Sequence, residues 1–228
     1  MSKRWAVASD PGLLARIAEQ ERRKGAGGSI APVVPARNLV KDTSAATKKE
    51  PSAATKRANR VALNNQDSRL DSLHYDADGN ILTIVLAGAE LLSHNTSLRM
   101  HNAKQTQLKN TWLKRIEALM LTNLATYDQW KLNQGRAFPL LVEEVYATGE
   151  GCCLDTESVA AACKPIIDAL VRTRFIPDDR AEFIAQPIAY TYRQRANGLV
   201  LVLRPAPKPW GLISDTTMAV AQGIPTLP

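Results

Sequence analysis

Hydrophobic and polar positions change rhythm several times along this chain, and each change marks an element. Residues 10–24, DPGLLARIAEQERRK, place Leu13, Leu14, Ile17 and Ala18 on a short helical stripe. Asp10 is a capping residue, Pro11 suits the first helical position and Gly25 follows the end, so a short helix is predicted there. Between 25 and 70 the large apolar residues thin out. GAGG and PVVPAR interrupt regular structure, and SAATKK at 44–49 returns as SAATKR at 52–57. Such a stretch buries too little surface to offset chain entropy, which predicts a disordered or extended linker.

A folded region is expected to begin near Leu73. Asp76, Asp78, Gly79 and Asn80 carry turn chemistry. The β-branched apolar run ILTIVLAG at 81–88 reads as a buried strand. A polar loop fills 91–102. In 103–125, Leu108, Trp112, Ile116, Leu119 and Leu124 recur at helical spacing while Lys104, Lys109, Lys114 and Arg115 take other faces. Residues 138–147 read as a strand, 157–173 as a helix, and 182–192 and 199–203 as two strands. Asn197 and Gly198 between those last two favour a hairpin. The order β-α-β-α-β-β predicts a mixed sheet with two main helices, in the α/β (α+β) class, over 73–204. A basic arm over 1–72 would precede it, and a Pro-rich tail over 205–228 would follow.

Composition narrows the setting. An apolar content of 45% in 228 residues fits a soluble globular chain. No apolar run reaches the roughly 18–20 residues that span a bilayer, and the start MSKRWAVASD lacks a secretory apolar region. Cys152, Cys153 and Cys163 form no CxxC pair, and His74, His94 and His101 lack zinc-site spacing. The expected location is the cytoplasm, without membrane attachment. The net charge of +7 is unevenly placed: residues 1–70 hold 14 Lys/Arg against 6 Asp/Glu, and the rest 15 against 16. A basic arm on a near-neutral body suits nucleic-acid binding or a solvated tail. Trp5 and the 10–24 helix offer that arm a protein-partner role as well.

The candidate chemistry lies in 151–183. On a helical period Glu157, Lys164 and Asp168 fall on one stripe, with Val159, Ala162, Ile166 and Leu170 supplying most of the packing side. Asp155 and Glu157 sit where the helix dipole favours negative charge. Pro165 predicts a kink or a second helix starting there. Asp178 and Asp179 follow Pro177 in a turn. Carboxylates from the helix start and from this turn, converging on Mg²⁺ with a lysine beside them, would suit phosphodiester hydrolysis. Taken singly, each group also has an ordinary reading as a cap, an ion pair or a turn residue.

This stretch is similar to the RusA family of Holliday-junction resolvases of bacteriophage and prophage genomes. The family's D-x-D-N, K-x-x-x-D-A/G-L and D-D pattern is matched by Asp155-Thr156-Glu157-Ser158, by Lys164 through Asp168-Ala169-Leu170, and by Asp178-Asp179. The strand at 81–88, a Ser93-His94-Asn95 loop and the following basic helix resemble the family's first elements, and the likeness covers 80–204. It implies a homodimer that nicks branched DNA. Mg²⁺, or Mn²⁺ in its place, would sit on Asp155, Glu157 and Asp179, with Asp178 as a helper and Lys164 supporting catalysis. Asn95, Lys104, Lys109 and Lys114 are then the expected DNA contacts. Glu157 stands where the family has Asp, and Ser158 where it has Asn. A junction-binding protein without cleavage is the alternative.

Overall fold

The computed structural model describes residues 51–98, 100–149 and 154–225. The helix expected at 10–24, most of the basic arm, and Cys152 and Cys153 lie outside the described residues. The elements are α1 (Ala53–Asn64), β1 (Ser72–Asp76), β2 (Ile81–Ala87), α2 (His94–Leu98), α3 (Asn102–Thr122), α4 (Leu124–Asn133), β3 (Leu140–Thr148), α5 (Thr156–Arg172), β4 (Ile184–Arg193), β5 (Gly198–Pro205) and α6 (Asp215–Gln222). A single 3-10 turn, Gln134–Arg136, follows α4. The class is α+β, as expected. Among the described residues no helix is long and apolar enough to cross a membrane.

The five strands form one mixed sheet in the order β1-β2-β5-β3-β4. Only β3 and β4 run parallel; the other neighbours are antiparallel. Alternate residues of β2 and β5 are buried on one face: Leu82, Ile84, Leu86, Leu199, Leu201 and Leu203. They meet Trp112, Ile116 and Leu119 of α3, Trp130 of α4, and Val159, Cys163, Ile166 and Leu170 of α5 in one core. Each such side chain contributes about 1.5–3 kcal/mol on full burial.

Several expectations change. The expected β4–β5 hairpin does not form, because β3 lies between those strands. Residues 194–197 instead cross the end of β3. There Gln194 N donates to Thr148 O at 3.0 Å, Gly149 N to Asn197 Oδ1 at 2.7 Å and Gly88 N to Asn197 O at 2.9 Å. Two strand spacings are roughly 10 Å, which four residues span.

The expected linker also ends early. Its second SAATKR copy opens α1, where Ser52 caps the helix and accepts from Thr55 N at 3.2 Å. Alanine-rich sequence with Lys and Arg is a strong helix former. Ala58 and Val61 bury a narrow face against Leu92, with Met100 and Leu108 alongside, and Ala62 is buried as well. The folded unit takes in Lys49–Pro228 rather than beginning near Leu73.

Strand β1 and helix α4 were not foreseen. The first is short and polar, paired to β2 through a turn in which Asp76 accepts from Asp78 N and Gly79 N. The second is held by two aromatic anchors. Trp130 Nε1 donates to Phe175 O at 2.7 Å, and Tyr127 Oη donates to Thr173 O at 2.9 Å. Pro165 starts no second helix; it lies inside one 17-residue α5. Buried Val159 and Cys163 before it, and Ile166, Ile167 and Leu170 after it, hold both halves on the sheet. That packing outweighs the roughly 3 kcal/mol a helix-interior proline costs.

The C-terminal segment contributes nothing fully buried through α6. Its approach folds back on the sheet: Leu212 N donates to Gln186 Oε1 at 3.0 Å, and Gly211, at φ +68°, leaves no room for a side chain against Gln186 and Leu141.

Candidate active site

Helix α5 starts at Asp155, whose Oδ1 accepts from Ser158 N at 2.6 Å and whose Oδ2 accepts from Ser158 Oγ at 3.1 Å. The backbone N–H of Ser158, reinforced by its hydroxyl, holds the Asp155 carboxyl below its ordinary value. Glu157 is exposed in the first turn.

Lys164 lies two and a half turns further along. Its ammonium donates to Asp168 Oδ1 at 2.8 Å and also to the Asp179 carboxylate. Lys109, from α3, stands 3.8 Å from Asp168 Oδ2. Burial pulls the Lys164 ammonium down, but its bonds to Asp168 and Asp179 outweigh that and raise it. The same bond to Lys164 lowers Asp179. Asp178 accepts from Asp179 N at 2.7 Å and pairs with Arg180 at 2.8 Å; Arg180 in turn reaches Glu182 at 2.7 Å. A shallow cavity of about 350 Å³ opens here, lined by Lys109, Leu113, Pro165, Asp168, Arg172 and Asp179 among others.

The C-terminal end of α5 explains why Asp179 comes to this place. Thr173 caps the helix and Arg174 takes φ +67°. Phe175 N then donates to Leu170 O at 2.9 Å and Arg174 N to Val171 O at 3.1 Å, the paired bonds of a left-handed helix stop. Phe175 and Ile176 are fully buried just beyond. The chain is thereby turned back beside the middle of the helix. The helix end at 173 was expected, but no glycine marks the left-handed turn at Arg174, so the return of the chain there was not.

The expected set of acids is therefore divided. Glu157, Lys164 and Asp168 share the predicted stripe, but Asp155 precedes Lys164 by nine residues, about 13 Å of helix rise. Asp155 and Glu157 lie at the helix start, while Asp179 joins Lys164 and Asp168 near the middle. Among the described residues no three His, Cys, Asp or Glu side chains form a group that could hold a metal ion. The three-carboxylate set Asp155, Glu157 and Asp179, with Asp178 as helper, is thus spread between the start of α5 and the turn that follows it.

The expected DNA contacts separate as well. Lys109 joins the Asp168 cluster. Lys104 bridges to α1, donating to Asn59 Oδ1 at 2.9 Å and to Gln107 Oε1 at 3.1 Å. Lys114 lines a wide groove of about 640 Å³ along α3, with Asn65, Thr106, Gln107, Asn110 and Thr111. Asn95 is exposed in α2.

Two buried polar groups were missed. Glu144 of β3 is 1% exposed, and one of its carboxylate oxygens has no partner. Burial pushes its carboxyl up to about 7, although a bond from Cys163 opposes that rise. Arg115 is buried against Asp71. Alternation in the run LLVEEVYA would have placed Glu144 on the same face as Val142 and Tyr146. No protein-family model, curated protein or solved structure matches this chain.

Proposed function

We propose that this chain binds branched DNA and nicks it, as the resolvases it resembles do, with its phosphate chemistry centred on Lys164, Asp168 and Asp179. The observation that carries this reading is the meeting of Lys164 with carboxylates 4 and 15 residues further along, at an open cavity edged by Lys109 and Arg172. Carboxylates alone repel a phosphodiester. Here three basic side chains stand beside two acids, and an incoming phosphate can replace a carboxylate as the partner of the Lys164 ammonium. Lys104, Lys114 and the basic arm add salt-sensitive, sequence-independent affinity. The resemblance to phage resolvases implies a cytoplasmic location and a homodimer that makes paired nicks.

The resemblance implies Mg²⁺ or Mn²⁺, but the helix-start acids serve as a cap and a first-turn charge, so no step is assigned to an ion. The test is a nicking assay on a synthetic four-way junction, with and without each metal, comparing wild type, Asp179→Asn and Asp155→Asn. The expected result is loss of nicking in Asp179→Asn with junction binding kept, and near-normal nicking in Asp155→Asn. Normal cutting by Asp179→Asn, or equal loss in both variants, would place the chemistry elsewhere.

A second reading, a junction-holding protein without cleavage, is favoured by the divided acid set. It expects binding and no nicks in either metal. A partner-binding role for the arm lies outside the described residues. Its test removes residues 1–50 only, because α1 belongs to the fold, and expects cleavage to survive while the partner is lost.

A further inference from the structure

Strand β4 is an edge of the sheet. In its register with β3, Tyr190 pairs with Val145 and Tyr192 with Ala147. Those positions alternate with Val142, Glu144 and Tyr146, which face the helices, so both tyrosines project from the opposite face. They are 59% and 42% exposed, an unusual openness for two large rings side by side. Two residues of strand separate them by about 6.7 Å. Tyr192 Oη donates to Gln194 Oε1 at 2.9 Å, which fixes the ring. Arg193, in register with Thr148, alternates onto the helix side of the sheet; Arg195 follows, exposed, and among the described residues it has no carboxylate partner.

We propose that Tyr190 and Tyr192, on the sheet face away from Lys164, form a stacking platform for single-stranded nucleic acid, with Arg195 beside them past the end of the strand. Rings at this spacing can each receive a base of an extended strand, and the Arg195 guanidinium meets a phosphate. Duplex DNA keeps its base faces covered and cannot use such rings. A second copy of the chain fits less well. A two-fold contact through this patch would bring in Arg195 from both copies, and the acid of this face, Glu143, is already paired with Arg204. The platform does not rest on the nicking reading. Its test uses an unbranched strand and no cleavage, so either idea can fail alone.

The experiment measures anisotropy of a labelled oligo-dT of about 20 nucleotides, longer than one site of roughly 4–16. It uses the full chain, with a blunt duplex and an oligo-rU as comparators. The variants are Tyr190→Ala with Tyr192→Ala, Tyr190→Phe with Tyr192→Phe, and Arg195→Gln; circular dichroism confirms each fold. Each alanine is expected to weaken binding to dT by roughly 5- to 150-fold, the factor for one stacked base, with duplex binding unchanged. The phenylalanine pair keeps wild-type affinity, and Arg195→Gln lowers the salt slope by about 0.7. Affinity for rU equal to that for dT assigns the platform to single strands of either sugar; a preference assigns it to one. Absence of dT binding by the full chain, an unchanged affinity in the alanine pair, equal loss on duplex, or a drop in oligomeric mass instead would overturn the proposal.

Discussion

Arg115 and Asp71 meet as a fully buried, two-pronged ion pair. Nη2 lies 2.6 Å from Oδ1 and Nε 2.7 Å from Oδ2, with both side chains at most 1% exposed. The pair does more than join α3 to the residue before β1. Arg115 also donates to Ala87 O at 2.6 Å and to Asn65 Oδ1 at 3.4 Å, while Asp71 accepts from Ala87 N at 2.9 Å. Asn65 in turn exchanges two bonds with the backbone of Glu90. The end of α1, the end of β2 and the middle of α3 are thus fastened at one point.

Arg115→Leu should destabilise the fold by about 3–5 kcal/mol, because it leaves Asp71 buried and unpaired. Replacing both partners, Arg115→Leu with Asp71→Leu, should recover part of that loss. Urea unfolding midpoints check both. A single variant as stable as wild type would mean that the pair does not fasten the fold.

Glu144 predicts a falling stability as pH rises. In the unfolded chain its carboxyl titrates at an ordinary value of about 4.3; in the fold it is pushed up to about 7. Between those values the folded state keeps a proton that the unfolded state has lost. The neutral acid's stability is fully present below the lower value and is lost through about pH 7, a change of roughly 3 kcal/mol. Glu144→Gln should flatten the profile across this window. Denaturation of both proteins at about pH 4.5 and 8 tests it, and an unaltered slope in the variant contradicts the assignment.

Pro165→Ala should raise stability by about 1–3 kcal/mol, since alanine restores the N–H that a helix interior uses and removes the ring's clash. The position is half-buried at the edge of the site cavity, so an alanine adds no crowding. A melting temperature unchanged or lowered would show that the backbone has adapted fully to proline.

The parts legible in the sequence are those where local pattern and packing agree. The β-branched apolar run ILTIVLAG announced β2, and Trp112, Ile116 and Leu119 announced α3. The stripe of Glu157, Lys164 and Asp168 followed from helical period alone. What escaped depended on contacts distant in sequence. Helix α1 has only Val61 as a large buried side chain and relies on Leu92 to cover it. Trp130 finds its acceptor on Phe175, 45 residues away. The placement of Asp179 hangs on Arg174 adopting a left-handed backbone where no glycine signals it. A hairpin was read at Asn197 and Gly198 because turn chemistry is local, whereas the choice of neighbouring strand is made by the whole sheet.

The strand order also decides when the protein can be completed during synthesis. The last strand made, β5, occupies the centre, joining the β1–β2 pair to the β3–β4 pair. Until Pro205 has left the ribosome, the nascent chain carries two separate strand pairs, each with open hydrogen-bonding rims and half of an uncovered core. The stretch from β1 to β4 must wait, exposed, for a single insertion that seals both halves at once. Ribosome-bound chains ending before Gly198 should therefore bind chaperones that recognise exposed apolar strands, and those ending well past Pro205 should be released from them.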